Sequence, residues 1–354
     1  MKNVLLLYSE VLFYKIRVFN KLSSELENKG YKLYVWSERF ASTSESSHFE
    51  RIETKMTAFN YLRVLRDCKI DFVIHSLWAL ANIPFYLFSV LTSLIMQKKL
   101  IYYGHGLNLQ DRDKRWKITL RNVLYLFFDR VLLYSSDQIK YLWKVHHQKI
   151  YIANNTLDIS GYENFVNRDR AELKRKYGIA QEKIVLFSGR IQKRKKLEVL
   201  TAIFVKHKEV FSDTALVIVG PDLPDHLGAT IRGVENIRYL GPVYDQAAIN
   251  EIFYMSDVFC IPGANGLGLV EAMYWGNPVL TLDVLHGPEI CFLKDGYNGY
   301  ITKDENHLFE ALKAVLGDSE LRSRLSEAAR KTAVEEASVE KMIQGFYNVL
   351  NSFR

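Results

Sequence analysis

The sequence predicts an α/β protein made of two doubly wound domains, each with a parallel sheet covered by helices. Short apolar runs of strand length alternate with helical segments, and one run ends in a glycine-rich turn that leads into a helix. The chain of 354 residues is longer than one hydrophobic core usually supports, and its 48% hydrophobic content is ordinary for a globular protein. Each domain can therefore bury a full core.

The first half of the chain contains six apolar runs of strand length. We predict strands at residues 4–8, 32–36, 72–75, 100–103, 131–134 and 150–153. The charged stretch 161–176 is predicted to be a linker, and a second domain begins near Ile184. We place the domains at residues 1–165 and 166–337. A closing helix follows at 338–354, with a serine cap and the apolar stripe Met342, Phe346, Tyr347 and Leu350.

The most informative stretch is residues 261–281. Pro262 and Gly263 end an apolar run, and Gly266 and Gly268 let the backbone approach a ligand before helical spacing resumes. Residues 275–279 then end the helix and lead into another strand. Ligands bind at the carboxyl ends of strands in such sheets. Glu271 falls in the first turn of the helix, where it either caps the helix or binds a ligand.

A basic turn follows an apolar run at residues 186–200, which read LFSGRIQKRKKLEVL. A run such as 193–196 is usually a solvated surface turn. Its place directly after a strand and before a helix favours a second interpretation. Cations fixed in such a turn would bind an anionic ligand such as a phosphate.

These motifs resemble the GT-B glycosyltransferases of family 4. EAMYWGNPV at residues 271–279 is similar to the second half of that family's signature, and GRIQKRK at residues 189–195 is similar to its basic turn. The resemblance implies that Arg190 and Lys195 stabilise the charge that develops on the diphosphate leaving group of the donor. Weaker similarities follow in the family's order at residues 154–158, 216–225, 236–243 and 286–301. The resemblance implies two Rossmann-like domains facing each other across a cleft. The second would bind a nucleotide sugar and the first an acceptor, and the closing helix would cross back to the first.

The chain departs from the family at the first half of the signature. Eight residues before Glu271 the family usually has a glutamate that touches the donor sugar, and this chain has Gly263. The sugar would then be held by the amides of the turn Gly266, Leu267 and Gly268, or by another side chain such as Asn265. A residue that is usually glycine is Lys196 here. Glu271 would bind the ribose, because a carboxylate accepts two hydrogen bonds from a diol.

Two segments of the first domain are further candidates. His105 lies between two glycines after an apolar run, and the family commonly has a histidine near the donor sugar at this point. Tyr14, Lys15 and Arg17 occupy the region of the family's acceptor loop. Lys15 and Arg17 could meet a phosphate. We expect them instead on the polar face of a helix.

The positive charge is concentrated in the first half. The first 170 residues contain 25 basic and 16 acidic residues, and the remainder contains 22 and 24. This asymmetry suits a first domain that faces an anionic membrane or a phosphorylated acceptor. The segment 97–121 is the candidate surface, with Lys98, Lys99, Arg112, Lys114, Arg115, Trp116, Lys117 and Arg121; the alternative is a solvated face. Residues 83–96 are too short to span a bilayer and are predicted to be a buried helix, with a helix that dips partly into lipid as the alternative.

Several other functional classes find little support. Cys68, Cys260 and Cys291 suggest neither a disulfide framework nor a zinc site. Asp111, Arg112 and Asp113 have the DxD spacing of metal-binding glycosyltransferases, but chance explains them better among so many cations. Basic and aromatic residues do not interleave as on a nucleic-acid platform, so no nucleic-acid partner is expected. No secretory signal is visible, which predicts a cytoplasmic protein that is either free or peripheral at the inner face of the cell membrane.

The expected function is a retaining, metal-independent glycosyltransferase that uses a UDP- or GDP-linked sugar, with no other cofactor. The acceptor would be a glycan or lipid-linked glycan in the assembly of a bacterial surface polysaccharide. Two alternatives remain open. A GT-B nucleotide-sugar 2-epimerase shares the fold, and a non-catalytic donor-binding partner of a membrane complex would explain the loss of the glutamate at Gly263.

Overall fold

The structure is a computed structural model that describes residues 1–42, 45–77, 83–106 and 114–353. The chain divides into two compact units. Unit 1 contains Met1–Asp158 and Ser338–Arg354, and unit 2 contains Ile159–Ala337. Each unit is built on one parallel sheet with helices on its faces, so the predicted α/β architecture of two doubly wound domains is confirmed.

The sheet of unit 1 has seven parallel strands in the order β3-β2-β1-β4-β5-β6-β7. The strands are β1 (Lys2–Tyr8), β2 (Tyr31–Trp36), β3 (Glu50–Ile52), β4 (Ile70–Ser76), β5 (Lys99–Gly104), β6 (Arg130–Leu133) and β7 (Ile150–Ile152). All six strands predicted in this half are present. The sequence analysis missed β3, because it is a short edge strand of mostly polar residues that shows no apolar run.

Helices cover both faces of this sheet: α1 (Phe13–Glu27), α2 (Ala58–Asp67), α3 (Ile83–Ile95), α4 (Arg115–Tyr125) and the closing helix, here called αC (Val339–Asn351). Helices α1 and αC bury their apolar residues in one core cluster, and α2, α3 and α4 bury theirs in another. Helix αC packs closely on the strands, since a Cβ atom at Gly345 would collide with the carbonyl oxygen of Ile152. Phe346 lies edge-on to Tyr103, with ring centroids 4.6 Å apart.

The sheet of unit 2 has six parallel strands in the order β10-β9-β8-β11-β12-β13. They are β8 (Lys183–Ser188), β9 (Thr214–Val219), β10 (Ile237–Gly241), β11 (Val258–Cys260), β12 (Val279–Leu282) and β13 (Gly299–Thr302). Its helices are α5 (Arg170–Lys176), α6 (Leu197–Lys206), α7 (Asp225–Ile231), α8 (Gln246–Met255), α9 (Gly268–Tyr274), α10 (Glu305–Gly317) and α11 (Ser319–Glu335). The strand order reverses between β8 and β11, which is where doubly wound sheets bind ligands.

The prediction that residues 161–176 form a linker is wrong. The segment contains a 3-10 turn, Tyr162–Asn164, and helix α5, and it belongs to unit 2. Leu173 buries itself in the core of that unit. Arg168 and Lys176 both pair with the buried carboxylate of Glu251, at 3.1 and 2.5 Å. The charges that suggested a solvated linker are therefore partners in ion pairs with α8.

The helix predicted at residues 83–96 is present as α3, but it is not a buried helix. Only one side of it lies in the core, and several of its aliphatic side chains are exposed. In the described part of the chain, no helix is both long and apolar enough to cross a membrane. All three cysteines are free thiols; Cys260 is buried, and Cys68 and Cys291 are half-buried.

Candidate functional site

The floor of the candidate site is the close contact between the ends of β8 and β9. Gly189 and Gly220 follow these strands with φ angles of +133° and +148°, which side chains rarely adopt. A Cβ atom on Gly220 would collide with the carbonyl oxygen of Gly189. A Cβ atom on Gly189 would lie 2.8 Å from the ammonium nitrogen of Lys195. The two glycines therefore let backbone, rather than side chains, line the space beside Lys195.

Lys195 is held at the end of a 3-10 turn, Lys193–Lys195. The turn ends at Lys196, whose φ of +52° explains why glycine is usual there. The Lys195 side chain is half-buried, and its Nζ lies 6.0 Å from the centroid of the Phe187 ring. No carboxylate within the described residues forms an ion pair with it. Burial, with a contribution from Arg194, lowers the pKa of Lys195 to about 8. The site thus contains a cation whose charge no described carboxylate balances.

Arg190, the other predicted diphosphate ligand, has a different environment. Its side chain is 67% exposed, and its Nε lies 3.7 Å from the carboxylate of Asp222, which follows β9. An exposed pair of this kind contributes little to stability. Arg190 is therefore free to change partners when an anion binds, whereas Lys195 is fixed in place.

The turn after β11 pairs with the turn that contains Lys195. The amide of Gly263 donates to the carbonyl oxygen of Lys195 at 3.0 Å, and that of Ala264 donates to Arg194 at 2.8 Å. A Cβ atom at Gly263 would collide with the carbonyl oxygen of Arg194 and would lie 2.7 Å from the Cα of Lys195. Glycine is thus the only residue type that fits at position 263 while the two turns are paired. No side chain, and so no glutamate, can extend from position 263 without separating the two turns.

Asn265 faces the core of unit 2 and holds the turn together. Its side-chain NH₂ donates to the carbonyl oxygen of Ile261 at 3.1 Å and to the hydroxyl of Thr281 at 3.0 Å. Its backbone amide donates to Nδ1 of His286 at 3.2 Å. Nε2 of His286 lies 2.9 Å from the carbonyl oxygen of Leu282, so the histidine is neutral with its proton on Nε2. The sequence analysis missed this role of His286, because the bond spans 21 residues.

The next three residues present open backbone amides. Within the described residues, no protein acceptor is recorded for the N–H groups of Gly266, Leu267 and Gly268, just before and at the start of α9. A Cβ atom at Gly266 would meet nothing within 4 Å. Unpaired amides in an open turn are good donors for phosphate or hydroxyl oxygens. The glycine-rich turn therefore offers donors that a ligand could use, and its role in binding stays a prediction.

Glu271 lies one turn further along α9. Burial raises the pKa of its carboxyl to about 7, and a hydrogen bond from the side chain of Gln246 opposes that rise. Gln246 begins α8, and its NH₂ group also contacts the Asn250 side chain at 2.9 Å. Gln246 was not predicted, since no sequence pattern links it to a residue 25 positions away. Glu271 is a desolvated carboxyl with acceptor capacity left for a ligand.

His105, in unit 1, follows β5 at the carboxyl end of the sheet. Its side chain is exposed, and its ring lies edge-on to Tyr134 with centroids 4.7 Å apart. The next residue, Gly106, has a φ of +72° and accepts hydrogen bonds from Arg121 and from the Tyr125 hydroxyl. The turn is therefore anchored by α4, and His105 extends from it.

The predicted acceptor residues lie on α1 but are not equivalent. Arg17 lies on the exposed face, where its Nε contacts Glu45 at 3.1 Å. Lys15 was expected there too, and that expectation is wrong. It is buried, and its ammonium donates to the Asn155 side chain at 2.6 Å. Tyr14 is half-buried. Lys15 thus ties α1 to the segment that follows β7.

Two further segments are the weaker similarity at residues 286–301, which contains Glu289, and the DxD spacing at residues 111–113. Glu289 is buried in the 3-10 turn Pro288–Phe292, close to Gly287. Residues 111–113, with the DxD spacing, lie outside the described residues, as does Arg112 of the basic segment. The described residues contain no group of three or more His, Cys, Asp or Glu side chains that could hold a metal ion.

Comparison with known proteins adds a family match. Residues 169–332 match the family model of the glycosyl transferases group 1. The chain is 37% identical over 150 residues to the phosphatidyl-myo-inositol mannosyltransferase of Mycobacterium leprae, covering 40% of this chain but only 39% of that protein. It is 26% identical over 271 residues to an uncharacterized 41.2 kDa protein in the cps region of Klebsiella pneumoniae, covering 72% and 71% of the two chains.

The fold has close counterparts among solved structures. Anabaena HepE in complex with UDP superposes with a TM-score of 0.77 at 17% identity, over 99% of this chain and all of that one. At this identity the likeness concerns the fold alone. The two parallel-sheet units are those of the GT-B fold.

Proposed function

We propose that this protein is a glycosyltransferase that moves a sugar from a nucleoside diphosphate carrier to an acceptor hydroxyl. The observation that carries the proposal is the half-buried ammonium of Lys195, which no carboxylate balances within the described residues. An unbalanced buried cation is costly unless a ligand supplies the negative charge. The match of residues 169–332 to the glycosyl transferases group 1 supports the same class of reaction.

In the proposed mechanism, charge builds up on the diphosphate as the bond between the sugar and the phosphate breaks. Lys195 and Arg190 stabilise that charge, and the amides of Gly266, Leu267 and Gly268 donate to phosphate or sugar oxygens. Glu271 accepts hydrogen bonds from the ribose diol. Catalysis then depends on fixed positive charge supplied by the chain, and we propose that the reaction needs no metal ion or other cofactor.

The donor sugar is proposed to be recognised without a glutamate at position 263. Its hydroxyl groups would be bound by the open turn that Asn265 supports, and His105 would position the sugar during transfer. Configuration would be retained by attack on the face that the diphosphate leaves, with the leaving phosphate assisting. This last step follows from the resemblance to family 4.

The acceptor is proposed to be a glycan or lipid-linked glycan of a bacterial surface polysaccharide, which the similarity to a Klebsiella protein in a cps region supports. Tyr14, Lys15 and Arg17 remain the candidate acceptor region in unit 1. The protein would act at the cytoplasmic face of the membrane as a peripheral protein, with its basic segment 97–121 towards the lipid.

The test is the thermal unfolding of the purified protein with UDP, GDP and the corresponding nucleotide sugars. One nucleotide should raise the midpoint, and the shift should be lost in Lys195→Ala and in Glu271→Ala. Lys193→Ala, which removes an exposed lysine of the same turn, is the matched control and should keep the shift. A shift that survives in Lys195→Ala, or none with any nucleotide, would refute the proposed donor site.

Two alternative functions, a donor-binding protein and an epimerase, can be distinguished from the transferase by the product formed from the nucleotide sugar. The absence of a side chain at Gly263 favours a non-catalytic donor-binding partner as the second candidate, and such a protein would bind nucleotide without turnover. A nucleotide-sugar 2-epimerase would isomerise the donor with no acceptor present. Release of nucleoside diphosphate that requires an acceptor identifies the transferase and excludes both.

A further inference from the structure

Helix α3 buries Phe85, Tyr86 and Val90 together with two serines, whereas its leucine and isoleucine side chains are exposed. The hydroxyl groups of Ser89 and Ser93 face the core, where Ser93 bonds to the carbonyl oxygen of Ser89 at 2.7 Å and to the hydroxyl of Tyr61 at 2.5 Å. The large aliphatic side chains of the helix are turned outwards instead. Leu87, Leu91, Leu94 and Ile95 are all exposed and form one stripe at helical spacing.

Helix α4 continues the pattern on the same side of the sheet. Trp116 and Leu120 are exposed, whereas the polar side chain of Asn122 is buried. The buried residues of α3 and α4 belong to one core cluster, and Tyr86 and Phe128 pack with ring centroids 6.5 Å apart. We define the α3–α4 face as Leu87, Leu91, Leu94, Ile95, Trp116 and Leu120. Exposed apolar side chains grouped in this way mark an interaction surface.

The charge around this face has one sign. The described residues from Ile83 to Phe128 contain no acidic residue and six cations, of which Arg121 donates inwards to the carbonyl oxygen of Gly106. The other five are Lys98, Lys99, Lys114, Arg115 and Lys117. Lys114 and Arg115 are exposed at the start of α4, which has no side-chain cap and no acid in its first turn. Cations are unfavourable at that end of a helix. A negatively charged partner would relieve this repulsion.

We infer that the α3–α4 face binds an anionic lipid bilayer, with α3 lying in the plane of the headgroups. Apolar side chains that enter the headgroup region, flanked by lysine and arginine, are the pattern of an interfacial helix. Trp116 suits the boundary between lipid and water. A second copy of this chain is a poorer occupant, because a two-fold interface would bring the same cations against one another. The inference extends the basic segment to a helix that lies before it.

The experiment is co-sedimentation of the full-length protein with vesicles of phosphatidylcholine alone or mixed with phosphatidylglycerol. We expect binding to the mixed vesicles, weakened by salt, and little binding to phosphatidylcholine alone. The double substitution Leu91→Ser with Ile95→Ser should lower vesicle affinity by about tenfold or more. The matched control, Val205→Ser with Val334→Ser, removes exposed apolar side chains from helices of unit 2 and should change nothing.

A charge variant separates the two contributions. Arg115→Glu should weaken binding to the anionic vesicles, and Lys313→Glu on α10 should not. All these positions are exposed, so thermal unfolding should confirm that each variant is folded. Equal binding by wild type and the Leu91→Ser, Ile95→Ser variant would overturn the inference. A concentration-dependent dimer that the same substitutions abolish would overturn it in favour of self-association. No nucleotide is present, so the result is independent of the proposed transferase activity.

Discussion

The amide of Gly263 donates a hydrogen bond to the carbonyl oxygen of Lys195 at 3.0 Å, joining the turns that follow two neighbouring strands of unit 2. This contact links the two features that make the site unusual. One is position 263, where the resemblance to family 4 implies a glutamate, and the other is the half-buried lysine proposed to bind the diphosphate. The backbone that fixes the lysine occupies the space that a side chain at 263 would need.

Restoring a side chain at position 263 should therefore destabilise the protein. We expect Gly263→Ala to lower the free energy of unfolding by about 2–4 kcal/mol, because its Cβ would meet backbone atoms that cannot move aside cheaply. Gly263→Glu should lose nucleotide binding rather than improve it. Chemical denaturation measures the first effect, with Gly266→Ala as the control that has open space around its Cβ. A stable Gly263→Glu variant with tighter donor binding would contradict this account.

Lys195→Met should stabilise the protein without ligand at pH 7. The pKa of Lys195 falls from 10.5 to about 8 on folding, so below pH 8 the folded state retains a charge that burial disfavours. Removing the charge should add about 1–3 kcal/mol to the free energy of unfolding. The gain is smaller than it would be for a fully buried lysine, because solvent still screens the half-buried ammonium. Between pH 8 and 10.5 the unfolded state binds more protons, so the wild type gains stability as the pH rises and the difference should shrink. Denaturation at pH 7 and pH 10, with Lys193→Met alongside, tests this.

Glu271→Gln should show the opposite dependence on pH. Burial raises the pKa of Glu271 from 4.5 to about 7, so the folded state binds the extra proton between these values. The wild type should therefore lose stability as the pH rises from 4.5 to 7, and the variant should not. We expect the variant to be about 1–3 kcal/mol more stable at pH 8 and equal near pH 4. Glu327→Gln, at an exposed position of α11, is the control. Equal stability of wild type and Glu271→Gln at pH 8 would refute the raised pKa.

Asn265→Ala should destabilise the glycine-rich turn, because it removes the hydrogen bonds that attach the turn to the core. The substitution removes the donor to the buried Thr281 hydroxyl oxygen and one of the two donors to the carbonyl oxygen of Ile261, which should cost about 1–3 kcal/mol. Nucleotide affinity should fall as well, because Asn265 immediately precedes the open amides. Denaturation and nucleotide titration are the two measurements, with the exposed Asn306→Ala as the control. Unchanged affinity in a destabilised variant would mean that Asn265 acts on folding alone.

The architecture was largely predictable because it rests on local patterns. Each of the six strands predicted in unit 1 is an apolar run bounded by polar residues, and this pattern can be recognised without knowledge of the fold. The polar edge strand β3 and the structured segment around α5 lack that pattern. The first depends on pairing with β2, and the second on ion pairs with Glu251. Neither partner is close in sequence.

The sequence by itself determined the two doubly wound units, the glycine-rich turn and the types of residue around it, because these depend on periodicity and on the chemistry of single residues. Only the tertiary structure decided how those residues are used. It buried Lys15, turned Asn265 towards the core and placed the backbone of Arg194 and Lys195 against Gly263. It also turned the aliphatic side of α3 outwards. Such outcomes depend on which distant segments pack together, and composition and spacing along one chain do not contain that information.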